Sequence, residues 1–65
     1  MKLFIISGND EQWNVIAKDE LSCYNILKKD GFGEESLVPA IAAATQLSLH
    51  PKTKWEEKIV SYFQR

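Results

Sequence analysis

The sequence predicts a small α+β domain, an N-terminal β-hairpin packed on two or three helices in the order ββααα, with ββααβ as the alternative. Three observations predict it. Residues 2–7 (Lys-Leu-Phe-Ile-Ile-Ser) and 12–17 (Gln-Trp-Asn-Val-Ile-Ala) are short apolar runs flanking Gly8-Asn9-Asp10, residues that tolerate the positive φ of a tight turn. Residues 20–47 carry apolar side chains at helical spacing, interrupted by Gly31-Phe32-Gly33. Thr53 and Glu56 match the Ser/Thr-x-x-Glu capping box, and Trp55, Ile59, Tyr62 and Phe63 after it fall on one side of a helix over 54–64.

Each element follows from local chemistry. In the first strand Leu3 and Ile5 share one face and Phe4 and Ile6 the other, because successive strand residues point opposite ways. Such a strand is expected to be covered on both sides. In the second, Trp13, Val15 and Ala17 alternate with Gln12 and Asn14, the pattern of a half-buried surface. Asp19 is an N-cap for a helix over 20–30, with Cys23, Tyr24 and Leu27 on its apolar stripe. Lys28 and Lys29 complement the negative helix end, and Gly31 stands where a left-handed residue is wanted. A second helix is expected from Ser36, as N-cap, to Leu47. It tolerates Pro39 only in its first turn and aligns Val38, Ile41, Ala42 and Thr45. His50-Pro51 breaks it. The last segment reads as helix 54–64, with a strand over 59–63 as runner-up because Ile-Val-Ser-Tyr-Phe favours sheet.

The 65 residues make one domain, spanning 1–65. A chain this short buries only about 60% of its unfolded surface. Its one cysteine excludes a disulfide framework, so stability must come from dense packing or a partner. Two Trp, two Tyr and three Phe within a 45% hydrophobic composition make dense packing feasible. The apolar run after Met1-Lys2 stops after Ile6, short of the roughly 7–15 residues of a signal core, and no run approaches the roughly 18 of a membrane span. With a lone free thiol, the reading is cytoplasmic.

Little in the sequence carries chemistry. The acid pairs Asp10-Glu11, Asp19-Glu20, Glu34-Glu35 and Glu56-Glu57 could serve acid–base catalysis, but adjacent side chains diverge, and three of the pairs sit where helices are expected to start. Cys23 would need His50, the only histidine, as its base; a lone Cys on an apolar stripe is ordinarily a small core residue. One Cys and one His do not make a zinc set. Gly31-Phe32-Gly33 lacks the preceding strand and third glycine of a phosphate loop. No catalytic residue, metal ligand or cofactor is assigned, and the chain is read as no enzyme.

With nine acids against eight Lys and Arg, the net charge of −1 argues against nucleic-acid or membrane-surface binding. What remains is a protein–protein interaction module. Chains of this size are often regulators or inhibitors, with phage and mobile-element proteins that bind a host or competitor protein among them. The expected partner-binding residues are Trp13, Trp55, Ile59, Tyr62 and Phe63, with the hairpin edge (3–6 and 13–16) as a second surface. A homodimer through a continuous sheet or a helical face, or docking on a larger partner, is a further expectation. The alternative is a nucleic-acid accessory protein using Lys52, Lys54 and Lys58 around Trp55.

Overall fold

The computed structural model describes all 65 residues. The order is ββααββ: strands β1 (Lys2–Gly8) and β2 (Glu11–Ala17), helices α1 (Glu20–Lys29) and α2 (Leu37–Ala42), and strands β3 (Thr45–Ser48) and β4 (Lys58–Gln64). The strands form one antiparallel sheet in the order β3-β1-β2-β4. The α+β class and the leading hairpin are as the sequence predicts. The number and order of helices are not.

The hairpin forms as its turn chemistry requires. Gly8 pairs with Glu11, leaving Asn9-Asp10 as a two-residue loop, and Asp10 takes the positive φ of 60° that short polar side chains tolerate. α1 is capped at both ends as expected. The Asp19 carboxylate accepts from the Ser22 N–H at 2.8 Å, which holds its pKa below the usual carboxylate value. At the other end Gly31, at φ 91°, donates to the Lys28 carbonyl at 3.1 Å, and Phe32 N–H reaches the Leu27 carbonyl at 2.9 Å. These are the two bonds of a Schellman stop, and they turn Phe32 back toward the core.

Three expectations are corrected. The helix from Ser36 to Leu47 stops at Ala42, and Thr45–Ser48 becomes β3. Across the edge of β1 away from β2, Leu3 pairs with Leu47 and Ile5 with Thr45, so backbone pairing overrides the helical preference of the alanine run. In this shortened helix Leu37 and Ile41 are the buried positions, whereas Val38 is 53% exposed. Helix 54–64 is replaced by β4, the runner-up. The capping box never forms: Thr53 N–H donates to the His50 carbonyl in a turn, as does Trp55 Nε1–H. Pairing with β2 rewards the β-branched and aromatic side chains of 59–63 more than one exposed helix would. Finally, the hairpin has no free edge, because β1 and β2 are the two central strands.

The core lies between the sheet and the two helices. Phe4, Ile6, Val15, Ala17, Cys23 and Leu27 are fully buried, joined by Trp13, Leu37 and Ile41. The segment 49–57 links the two outer strands by crossing one end of the sheet. Leu49 N–H donates to the Met1 carbonyl, and the Glu57 carboxylate accepts from the Lys18 N–H at 3.0 Å. No helix is long and apolar enough to cross a membrane.

Candidate functional site

Opposed residues in an antiparallel ladder share a face. Phe4, Ile6, Trp13, Val15, Ile59 and Tyr62 therefore lie on the helix side, and Leu3, Ile5, Asn14, Ile16, Leu47 and Phe63 on the other. Both helices pack on the first side, so the second is an open face of the sheet, and β1 is covered on one side only, not on both as its two-sided apolar pattern suggests. The ladder shifts register between Asn14 and Val15, where β4 carries one extra residue, Val60. This bulge keeps Ile59 and Tyr62, three positions apart, on the same side.

The open face mixes apolar and polar rows: Leu47, Leu3 and Ile16 lie in one row across the strands, and Ser7, Gln12 and Phe63 in another. Leu47, Val60 and Phe63 are 48%, 51% and 57% exposed. Leu3 and Ile5 are half-buried and Ile16 is covered. Across β2 and β4 runs a polar chain: Gln12 Nε2 donates to Asn14 Oδ1 at 3.3 Å, and Asn14 Nδ2 to Ser61 Oγ at 2.8 Å. That chain uses one donor of each amide and the Asn14 oxygen, and leaves the Gln12 oxygen free. Three strands of seven residues and one of four, about 4.8 Å apart, give the face a footprint of roughly 400 Å². Its strand residues carry one charge, Lys58.

The residues expected to bind a partner, Trp13 and the Trp55, Ile59, Tyr62 and Phe63 stripe, are divided. Trp13 is only 3% exposed and belongs to the core, its buried indole N–H without a hydrogen-bond partner. Its ring centroid lies 5.7 Å from Phe32 and 5.5 Å from Tyr62, which is itself 4.9 Å from Phe32. Ile59 and Tyr62 thus face the helices. Partial burial, with the Glu11 carboxylate beside it as charge and hydrogen-bond partner, pushes the Tyr62 hydroxyl above its ordinary pKa. Phe63 faces the open side. Trp55 stands at the margin of that side, in a cleft shared with Ile16, Lys54, Lys58 and Val60. Alternation along a strand separates 62 from 63, which a helix would have kept together.

The sequence reading placed Leu3 and Ile5 on the expected hairpin edge but missed Leu47 and Val60 as surface residues. The signal for the open face was present in the two-sided apolar pattern of residues 3–6 and in the adjacent pair Val15-Ile16. It became legible only once both helices were seen on one side.

Other candidate chemistry does not converge. Cys23 is wholly buried beneath the sheet, and burial, with Glu20 adding to it, pushes its thiol up to about 12. His50 is exposed in the turn after β3, where its Nδ1 accepts from the Lys52 N–H at 3.2 Å. No three His, Cys, Asp or Glu side chains are grouped to hold a metal ion. Of the lysines expected to act together, Lys54 and Lys58 share the Trp55 cleft with Glu56, whose carboxylate offsets one of the two charges. A cleft of about 260 Å³ at the opposite end of the sheet is lined by Glu11, Trp13, Phe32, Glu34 and Leu37. Compared with protein-family models, curated proteins and solved structures, the chain gives no significant match.

Proposed function

We propose that this protein is a non-catalytic protein–protein interaction module whose contact surface is the open face of its sheet. The observation that carries the reading is that both helices cover one side, leaving Leu47, Val60 and Phe63 about half exposed around the half-buried Leu3 and Ile5 on the other. Apolar patches of roughly 300–600 Å² are the largest that monomers ordinarily show and are often functional. The near absence of charge on this face favours an apolar, uncharged protein surface as its partner, since a phosphate backbone would need several lysines directed at it. Trp55, with its ring at the margin of the face, is the kind of residue that anchors such contacts. A regulatory or inhibitory role, exerted by covering a partner's surface, follows naturally from a domain of this size.

The test compares capture by tagged variants. Leu47→Asp places a charge on the open face, and Val38→Asp places the same charge on α2 behind the sheet. Both positions are about half exposed, so both variants are expected to fold, as circular dichroism would verify. The reading expects Leu47→Asp to weaken partner binding by about tenfold or more, because a charge there is buried unpaired on contact. Val38→Asp should bind as the parent does. Equal binding by both variants would overturn the reading. Recovery that falls steeply with salt and is nuclease-sensitive would point instead to the lysine cleft.

A further inference from the structure

We propose that β4 pairs with β4 of a second copy of this chain, antiparallel about a two-fold axis between Val60 and Ser61, joining two sheets into one of eight strands. The inference is independent of the open-face reading; it concerns the edge of the sheet, not its face.

β4 bonds to β2 on one side only and is the long edge of the sheet, seven residues against four in β3. Edge strands present unpaired N–H and C=O groups and are ordinarily kept short, charged, bulged or interrupted by proline; β4 carries a bulge at Val60, around which the pairing with a second copy is built. β4 has no proline, and its one charge, Lys58, is at its first position. Val60, Tyr62 and Phe63 stand exposed along it, with side chains that favour sheet.

The register follows from the bulge. In an antiparallel pair, opposed side chains must lie on the same face. Pairing with β2 puts Ile59, Tyr62 and Gln64 on the helix side, and Lys58, Ser61 and Phe63 on the open side. Val60, the extra residue, joins them there, lining the cleft with Ile16 and Trp55. A two-fold axis at Ser61 would oppose Ile59 to Phe63 of the second copy, on contrary faces, and an axis at Val60 would oppose Ile59 to Ser61, also on contrary faces. The axis between Val60 and Ser61 matches every pair along the strand: Tyr62 with Ile59, Phe63 with Lys58, and Val60 with Ser61 of the second copy. Without the bulge, Ile59 and Tyr62 would lie on opposite sides and this register would fail.

The same register is charge-complementary. Continued one residue past the end of β4 and two residues before its start, it sets Arg65 against Glu56 of the second copy, and by symmetry does so twice. It also lays Phe63 beside the Lys58 stem of the second copy, within reach of a cation–π contact. The two sheets then present their open faces on the same side.

Sedimentation equilibrium from micromolar to millimolar concentration tests this. The expected mass is that of two 7.4-kDa copies. Arg65→Glu removes two ion pairs and creates two like-charge oppositions, and should weaken dimerisation about tenfold. The double variant Glu56→Arg/Arg65→Glu exchanges the charges and should restore the parent constant to within about threefold. If Arg65→Glu fails to fold, Glu56→Arg alone must weaken the dimer by the same factor. A single-copy mass at all concentrations overturns the proposal. So does a dimer indifferent to both charge variants, or one abolished by Leu47→Glu on the far strand, which would mean that open faces stack.

Discussion

Replacing the neighbours Tyr62 and Phe63 one at a time by alanine separates the strand at 58–64 from a helix there. Tyr62 is 36% exposed, so about two-thirds of its side chain is buried. For a residue that buries roughly 200 Å² when enclosed, this is about 130 Å², or ~3 kcal/mol. Its ring also packs on Trp13 at 5.5 Å and Phe32 at 4.9 Å, contacts that contribute about 0.5–1.5 kcal/mol each beyond area. Tyr62→Ala should therefore cost ~5 kcal/mol. Phe63 is 57% exposed and has no ring partner, so Phe63→Ala removes about 85 Å² of buried surface, or ~2 kcal/mol. Both figures are upper estimates, since the unfolded chain already buries part of this surface, but the difference of about 3 kcal/mol is the firmer quantity. It corresponds to a gap of about 10–20 °C in midpoint between the variants of a domain this small. Urea unfolding followed by circular dichroism reads it directly. On a helix, positions 62 and 63 would share the packed stripe and cost alike; equal losses, or a larger loss at Phe63, would refute the alternation.

Other outcomes follow from the caps and the core. Asp19→Ala should lose about 1 kcal/mol of stability in urea melts. Because the folded state lowers the Asp19 pKa, the stabilisation its charge adds is present above about pH 3.8 and disappears as pH falls through the folded value; Asp19→Asn should keep most of the cap and lose that acid dependence. Gly31→Ala meets no atom within 4 Å, so its expected cost of about 1–2 kcal/mol is backbone conformation alone, and Gly31→Asn should cost less in the same assay. The Cys23 thiol, raised from 9.0 to about 12, contributes its full stabilisation below pH 9 and loses it as pH rises toward 12, at up to ~1.4 kcal/mol per pH unit. The parent's stability should fall faster over that window than that of Cys23→Ala, and native protein should resist thiol reagents at pH 8.

The elements legible in the sequence are those fixed by neighbours along the chain. The Gly8-Asn9-Asp10 turn, the Asp19 cap and the Gly31 stop each rest on a local bond or torsion, and each forms as read. Residues 45–48 became a strand for reasons outside themselves, and at 58–64 long-range pairing decided between a local helix start and a local sheet preference. Thr45–Ser48 follows an alanine run that favours helix, yet it pairs along the outer edge of β1. The Thr53–Glu56 pattern is a sound helix start, but Lys58–Gln64 gains a full ladder on β2 and a ring cluster with Trp13 and Phe32. Local propensity differs by tenths of a kcal/mol per residue, and such long-range pairing outweighs it. The candidate surface was hidden for the same reason. Leu3, Ile5 and Leu47 are recognisable as a face only when β1 and β3 lie side by side with both helices behind them.

The most direct test of the open-face account is site-specific photocrosslinking in cells. A benzophenone side chain at position 47, on the open face, is compared with one at position 38, on α2; the two parent residues are 48% and 53% exposed, so access alone does not distinguish them. The account predicts a discrete adduct with another protein from position 47 and none from position 38. An adduct from position 38 alone, or from neither position while the parent chain still captures its partner, would contradict it.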